Sequence, residues 1–237
     1  MNPPMWTDQT IYEHLIQTIY EQRLTPGTRL PEQRLSQLYG VGRETVRRAL
    51  LRLSEKRYVE LTRNVGAQVA RPTAREMHDL FHARRVIENE TIRIVALNVT
   101  SQIVTALEKV LDEEAAAHTR GDQAGAIRAS GNLHLTLADF AGNTLLTATL
   151  RELISQSSLA IALYSHLPFT ACRDHDHRQL IGAVGRGDWQ AGQRLMAAHL
   201  TEIEAQLSDL PLPQPQVDLA HALQLEGSVP RVSVPRG

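Results

Sequence analysis

Residues 30–69 read LPEQRLSQLYGVGRETVRRALLRLSEKRYVELTRNVGAQV, and the spacing within this stretch decides the fold of the amino-terminal part of the chain. Glu32 to Tyr39 places Leu35 and Leu38 on one helical stripe, Gly40 breaks it, and Arg43 to Leu53 resumes with Val46, Ala49, Leu50 and Leu53 at helical intervals. Two short helices therefore meet at a tight turn. Tyr58–Leu61 and Ala67–Ala70 then read as two short strands around Arg63, Asn64, Val65 and Gly66. Helix, turn, helix and hairpin in that order spell a winged helix-turn-helix. In such a pair the second helix enters the DNA major groove with its first residues nearest the base edges. Those residues are Arg43, Glu44, Thr45 and Arg47, whereas Arg48 and Arg52 lie where a guanidinium meets phosphate or solvent.

Charge is partitioned accordingly. Residues 1–75 hold 12 Lys and Arg against 7 Asp and Glu, while residues 76–237 hold 13 against 19. The whole-chain charge of −1 hides a basic head on an acidic body. A basic surface supplies the salt-dependent, sequence-blind part of DNA affinity. A single cysteine, Cys172, excludes an intrachain disulfide; no apolar run reaches the roughly 18 residues of a membrane helix, and the start MNPPMWTDQT does not read as a secretory signal. A cytoplasmic, reduced protein is expected.

Trp6 to Leu24 is expected to form the first helix, with Ile11, Leu15 and Ile19 on one stripe and Thr7 or Asp8 as cap. The expected organisation is a DNA-binding domain over residues 1–71, a linker over 72–75, an all-α domain over 76–209, to which the resemblance described below adds ligand sensing and dimerisation, and a proline-rich disordered tail over 210–237, with at best a short helix near Ala220. The third part shows little β signal and six helical periods, punctuated at 98–101, 120–122, 142–143, 167–168 and 186–188.

Three histidines in this body sit where a core expects leucine. His134 shares a stripe with Ile127, Leu137 and Ala141, His177 with Leu180, Ile181 and Val184, and His199 is flanked by Leu195, Met196 and Ile203. Buried imidazoles need partners, and one divalent transition metal, zinc or nickel for instance, would satisfy all three. Without metal, His134 would bond to Ser130, and His177 to Asp174 or another acid. His175 falls off the stripe, and His78, His82, His118 and His166 share no spacing that argues for ligation. Arg84 occupies the apolar stripe between Leu80, Phe81 and Ile87. It either clamps a carboxylate in two-pronged fashion or pairs with Glu88 one turn on. Asn143 either caps the following helix or contacts a ligand.

Gln9 to Asp209 resembles a GntR-family transcription regulator of the FadR type, whose all-helical sensing domain is called FCD. The resemblance is carried by PGTRLPEQRLSQLYGVGRETVRRALLRL and NVGAQV, then by LFHARRVIE, NLHLTLADFAGNTLL, DHDHRQLIGAV, GDWQAG and MAAHL. It implies a homodimer on a palindromic double-stranded operator, expected to act as a repressor, with DNA affinity that changes when a small carboxylate occupies the helical domain. It also implies DNA contacts at Arg43, Thr45, Arg47 and the wing glycine Gly66, metal ligation by His134, His177 and His199, and an Arg84 that faces the ligand cavity. Two departures stand in the reader: Gln33 replaces a contacting arginine of some relatives, and Glu44 a small or hydroxylated residue. A third lies in the body, where Ser130 replaces the aspartate or asparagine that supplies the fourth metal ligand. Metal affinity below that of relatives is therefore expected. Two alternatives remain open on the residues, a regulator for which the metal is itself the signal and a metal-dependent hydrolase joined to a DNA-binding head. The second has against it the lack of a HExxH helix, a GxSxG elbow and any evident carboxylate base beside the histidines.

Overall fold

The computed structural model describes residues 6–63, 66–164, 174–208 and 217–225. The chain forms two compact units, Met1–Arg71 with Pro213–Gly237, and Pro72–Leu212.

The first unit opens with α1 (Asp8–Tyr20), started by a capping box between Thr7 and Thr10. Ile11, Leu15 and Ile19 are fully buried along one stripe. The helix stops four residues before the expected end at Leu24. Gln22 takes a left-handed φ of 59°, and the amides of Gln22 and Arg23 donate to the carbonyls of Ile19 and Thr18 at 2.9 and 3.0 Å. This is a Schellman closure built without glycine. Next come α2 (Glu32–Tyr39) and α3 (Arg43–Glu55), joined through Gly40 in the left-handed region at φ 65°. Leu35 and Leu38 of α2 and Val46, Ala49, Leu50 and Leu53 of α3 form the core expected from their spacing.

The wing is an antiparallel pair, β1 (Val59–Thr62) and β2 (Gly66–Val69), in which Val59 faces Val69 and Thr62 faces Gly66. Gly66 has φ 93°, which only glycine adopts freely. Asn64 and Val65 of the expected turn lie outside the described residues. One feature has no sequence signal: residues 27–30 run beside β2, with Leu30 donating to the Ala67 carbonyl at 2.8 Å and Gly27 to that of Val69 at 2.9 Å.

The second unit contains six described helices, α4 (Ala74–Leu97), α5 (Ser101–Thr119), α6 (Gln123–Phe140), α7 (Thr144–Tyr164), α8 (Asp174–Gly185) and α9 (Trp189–Ser208). The expected linker 72–75 contracts to two residues, because Thr73 and Glu76 form a capping box that starts α4 at Ala74. Leu167 and Pro168 of the expected break after α7 lie outside the described residues. Two glycines set the close approaches. A Cβ on Gly192 of α9 would meet Ile92 of α4 at 2.7 Å, and one on Gly131 of α6 would meet Ile154 of α7 at 2.9 Å. These contacts bring the helices that carry His199 and His134 against their neighbours.

The tail departs from expectation where it is described. Residues 219–222 form α10 (Leu219–Ala222), capped by Asp218, with Ala222 and Leu223 buried and the Ala222 carbonyl accepting from Arg23. The helix falls at Ala220, where the sequence allowed a short one; two buried apolar side chains and one charged hydrogen bond hold it in place. The rest of the expected tail lies outside the described residues.

Candidate functional site

The reader presents the expected face. Arg43, Glu44 and Arg47 are exposed at the start of α3, and Thr45 is half-buried. Gly42 caps α3 without a side-chain bond, which leaves the positive end of the helix dipole open to a phosphate. A hollow of about 260 Å³ between α3 and the hairpin is lined by Arg47, Leu61, Arg63 and Gly66 among others, so helix and wing share one side. Gln33 is exposed on α2. Arg48 and Arg52 instead reach back to Asp8 at 3.7 and 3.6 Å, and the Arg52 guanidinium lies 4.5 Å from the Tyr12 ring centre. They tie α3 to α1.

In the helical unit, α6, α8 and α9 bring His134, His177 and His199 together in the buried interior. One ligand atom from each lies within 4.8 Å of the others. The Nε2 atoms of His177 and His199 are 3.1 Å apart, and the ring centres of His134 lie 5.5 Å from both others. The periodicity argument thus finds its three residues. It missed what stands behind them: Glu88 of α4 accepts from Nδ1 of His134, and Glu114 of α5 bonds Nδ1 of His177 at 2.8 Å. Each bond favours the tautomer with its proton on Nδ1 and its lone pair on Nε2. The acid expected beside His177 is thus Glu114, and His134 has Glu88 as a partner that the sequence did not suggest. The expectation that no carboxylate stands beside the histidines is likewise corrected. Both glutamates occupy buried stripes, Glu114 one turn beyond Ile103, Leu107 and Leu111, and the misfit that singled out the histidines marks them too.

Arg84 is 2 % exposed. Its Nε donates to Glu88 at 2.7 Å and its Nη1 to Ser157 of α7 at 2.9 Å, while Nη2 is buried with no hydrogen-bond partner among the described residues. Of the two readings of Arg84, the structure shows the pair with Glu88. The pair with Glu88 exists but is buried, and the two-pronged clamp is reduced because two of three guanidinium nitrogens are engaged. Ser130 is buried on α6 one turn before His134. Asn143 does not join the cluster: it is exposed, and its Oδ1 accepts from the amides of Leu145 and Leu146 at 3.2 Å, which caps α7.

The electrostatics favour neutral imidazoles. Burial lowers the pKa of His134 despite the Glu88 carboxylate, and burial together with the neighbouring histidines pushes His199 well below its ordinary 6.5. Burial alone would raise Glu88, but the Arg84 guanidinium and His134 override it and hold it at about 2. Imidazoles whose Nδ1 is backed by a carboxylate, as in His134 and His177, are suited to a transition-metal site. Two nitrogens on one ion lie no more than about 4.2 Å apart, at roughly 2.1 Å each. The 3.1 Å pair meets that limit, and a ligand atom of His134 lies within 4.8 Å of both. His199 Nδ1 lacks a hydrogen-bond partner among the described residues.

Comparison with known proteins matches residues 7–69 to the model of bacterial regulatory proteins of the gntR family and residues 79–202 to the FCD domain. The chain is 25 % identical over 204 residues to the HTH-type transcriptional repressor RspR of Escherichia coli, covering 86 % of this chain and 90 % of that one. It is 26 % identical over 218 residues to the Uxu operon transcriptional regulator of the same bacterium, 83 % of each chain. The repressor NanR of Citrobacter rodentium is 27 % identical over 222 residues, 83 % of this chain and 84 % of its own. Among solved structures, a GntR transcriptional regulator from Rhodococcus sp. RHA1 superposes with a TM-score of 0.72 at 23 % identity, covering 84 % of this chain and 96 % of that one. McbR/YncC of E. coli gives 0.67 at 19 %, with the same coverage. These two likenesses concern the fold.

Proposed function

We propose, from the premise that this chain belongs to the gntR family of bacterial regulatory proteins and carries an FCD domain, that it is a metabolite-responsive repressor whose effector is a small carboxylate. That it is a DNA-binding transcription regulator follows from the family. The finer reading rests on one observation, a buried arginine with an unpartnered Nη2 joined through Glu88 to a cluster of three buried histidines.

His134, His177 and His199 would hold a divalent transition metal ion, which when bound supplies positive charge and open coordination positions for an anion. Glu88 and Glu114 orient the imidazoles. Arg84 offers one N–H edge to a carboxylate, a charge-assisted bond in a dry interior. Glu88 ties that guanidinium to His134, so an anion drawn to Arg84 alters the partner that positions a ligating ring. Since the cluster draws on α4 to α9 apart from α7, with Ser157 bringing in α7, an occupied site favours one packing of the bundle. The effector changes operator affinity only by its differential affinity for the two packings. A homodimer on a palindromic operator, read by Arg43, Thr45, Arg47 and the Gly66 wing, matches the exposed face of α3. The protein works in the cytoplasm with its DNA; no described helix is long and apolar enough to cross a membrane.

The hydrolase alternative gains carboxylates near the histidines, but each is bonded to an imidazole Nδ1, an orienting position and not that of a free base. The metal-sensing alternative is separated by experiment. Fluorescence anisotropy on DNA from the protein's own promoter, with a panel of small carboxylates added to metal-loaded and chelator-treated protein, is expected to show an acid-dependent change that Arg84→Met removes while DNA binding persists. A response to metal alone favours metal sensing; no response to any acid overturns the carboxylate reading.

A further inference from the structure

Contrary to the expectation that His78 and His82 share no spacing that argues for ligation, they lie four residues apart on α4, both exposed, and their rings stack with centres 6.4 Å apart and planes 18° from parallel. Helical residues at this spacing face the same way one turn apart, the arrangement by which a pair of histidines on one helix grips a metal ion. Spacing alone is weak evidence, because exposed histidines are free to point anywhere. The neighbouring helix supplies a second observation. Glu204 of α9 bonds Nδ1 of His78 at 2.9 Å, and Arg85 holds the other oxygen of the same carboxylate at 2.6 Å. Glu204 is therefore fixed by a guanidinium while it fixes an imidazole. A carboxylate on Nδ1 places the ring proton there and leaves the lone pair on Nε2, the relation that Glu88 and Glu114 have to the buried histidines.

We propose that His78 and His82 form a second, solvent-facing site for a divalent transition metal ion, positioned by Glu204. The charges of Glu204 and Arg85 cancel, so binding rests on two imidazole nitrogens, which suit zinc, nickel or copper and not magnesium or calcium. Two protein ligands leave the remaining coordination positions to water, and the site binds more weakly than the buried cluster. An ion there ties one turn of α4 to α9 through Glu204, across the most extensively packed helix pair of the unit.

The test titrates nickel ion alone into full-length, chelator-treated protein by isothermal calorimetry, with bound metal per chain counted after desalting. The unaltered protein is expected to show a stronger and a weaker event. His199→Ala removes only the stronger, which keeps the fate of the buried site distinct from that of this one. His82→Ala, at an exposed position that leaves the fold intact, removes only the weaker. Glu204→Gln keeps the weaker event but lowers its affinity by about tenfold or more. The absence of a weaker event in the unaltered protein, or its persistence unchanged in His82→Ala, overturns the proposal.

Discussion

Replacing Glu88 by glutamine tests whether the buried Arg84–Glu88–His134 chain acts as a unit. The carboxylate is 1 % exposed and joins two groups at once, the guanidinium of Arg84 at 2.7 Å and Nδ1 of His134. Its pKa falls from the ordinary 4.5 to about 2. At about 1.4 kcal/mol per tenfold change in proton affinity, that fall corresponds to roughly 3 kcal/mol favouring the ionised form in the folded state. An independent figure agrees, since removing one partner of a buried ion pair costs about 3–5 kcal/mol. Against a typical total of roughly 5–15 kcal/mol, the loss is large. Urea unfolding at pH 7 with chelator present, followed by Trp189 in a Trp6→Phe background, isolates the helical unit, because these are the two tryptophans of the chain. Glu88→Gln and Arg84→Met are each expected to lower stability by about 3 kcal/mol. The double variant, with no unpaired charge left, is expected to cost no more than either alone. Additive single losses would refute the reasoning, because the two side chains would then not behave as a pair.

Arg47→Ala is expected to weaken operator binding by about 1–3 kcal/mol and to relax the preference for operator over base-substituted duplexes, as measured by anisotropy on both. Gln22→Gly relieves a left-handed conformation that costs a non-glycine residue roughly 1–2 kcal/mol, against about 0.4–1 kcal/mol of added chain entropy, so the first unit should gain up to about 1 kcal/mol in urea unfolding. Chelator-treated protein should lose thermal stability as pH falls. The folded pKa values of His134 and His199 lie below the unfolded 6.5, so the unfolded chain takes up protons first. The stabilisation is complete above pH 6.5 and declines below it; a melting temperature that is flat from pH 8 to 5 would contradict this. His199→Ala should leave protein purified from zinc-supplemented cells without its tightly held metal, as counted by mass spectrometry.

The winged helix-turn-helix was legible because its signals are local: Gly40 between two periodic runs, Gly66 at a turn, and arginines on the polar side of α3. The histidine cluster was legible for a related reason, since an imidazole on an apolar stripe is a visible misfit. Glu88 and Glu114 carry the same misfit, yet their partners lie 46 and 63 residues away in sequence, and helical periodicity says nothing of what crosses between helices. Arg84 was ambiguous because one guanidinium can serve Glu88 and still present an edge. The end of α1 was overrun because Gln22 closes it without the glycine that ordinarily announces such a stop. The strand-like run of residues 27–30 was invisible because backbone pairing with β2 leaves no mark in side-chain pattern.

The segment around α10 lies outside both family matches, yet Ala222 and Leu223 are buried in the first unit and Arg23 donates to the Ala222 carbonyl. A truncation after residue 209, which the family boundaries invite, would strip a piece of wall from the DNA-binding half and not trim an appendage. A shortened form meant to keep the DNA-binding half intact should therefore retain the chain through Leu223.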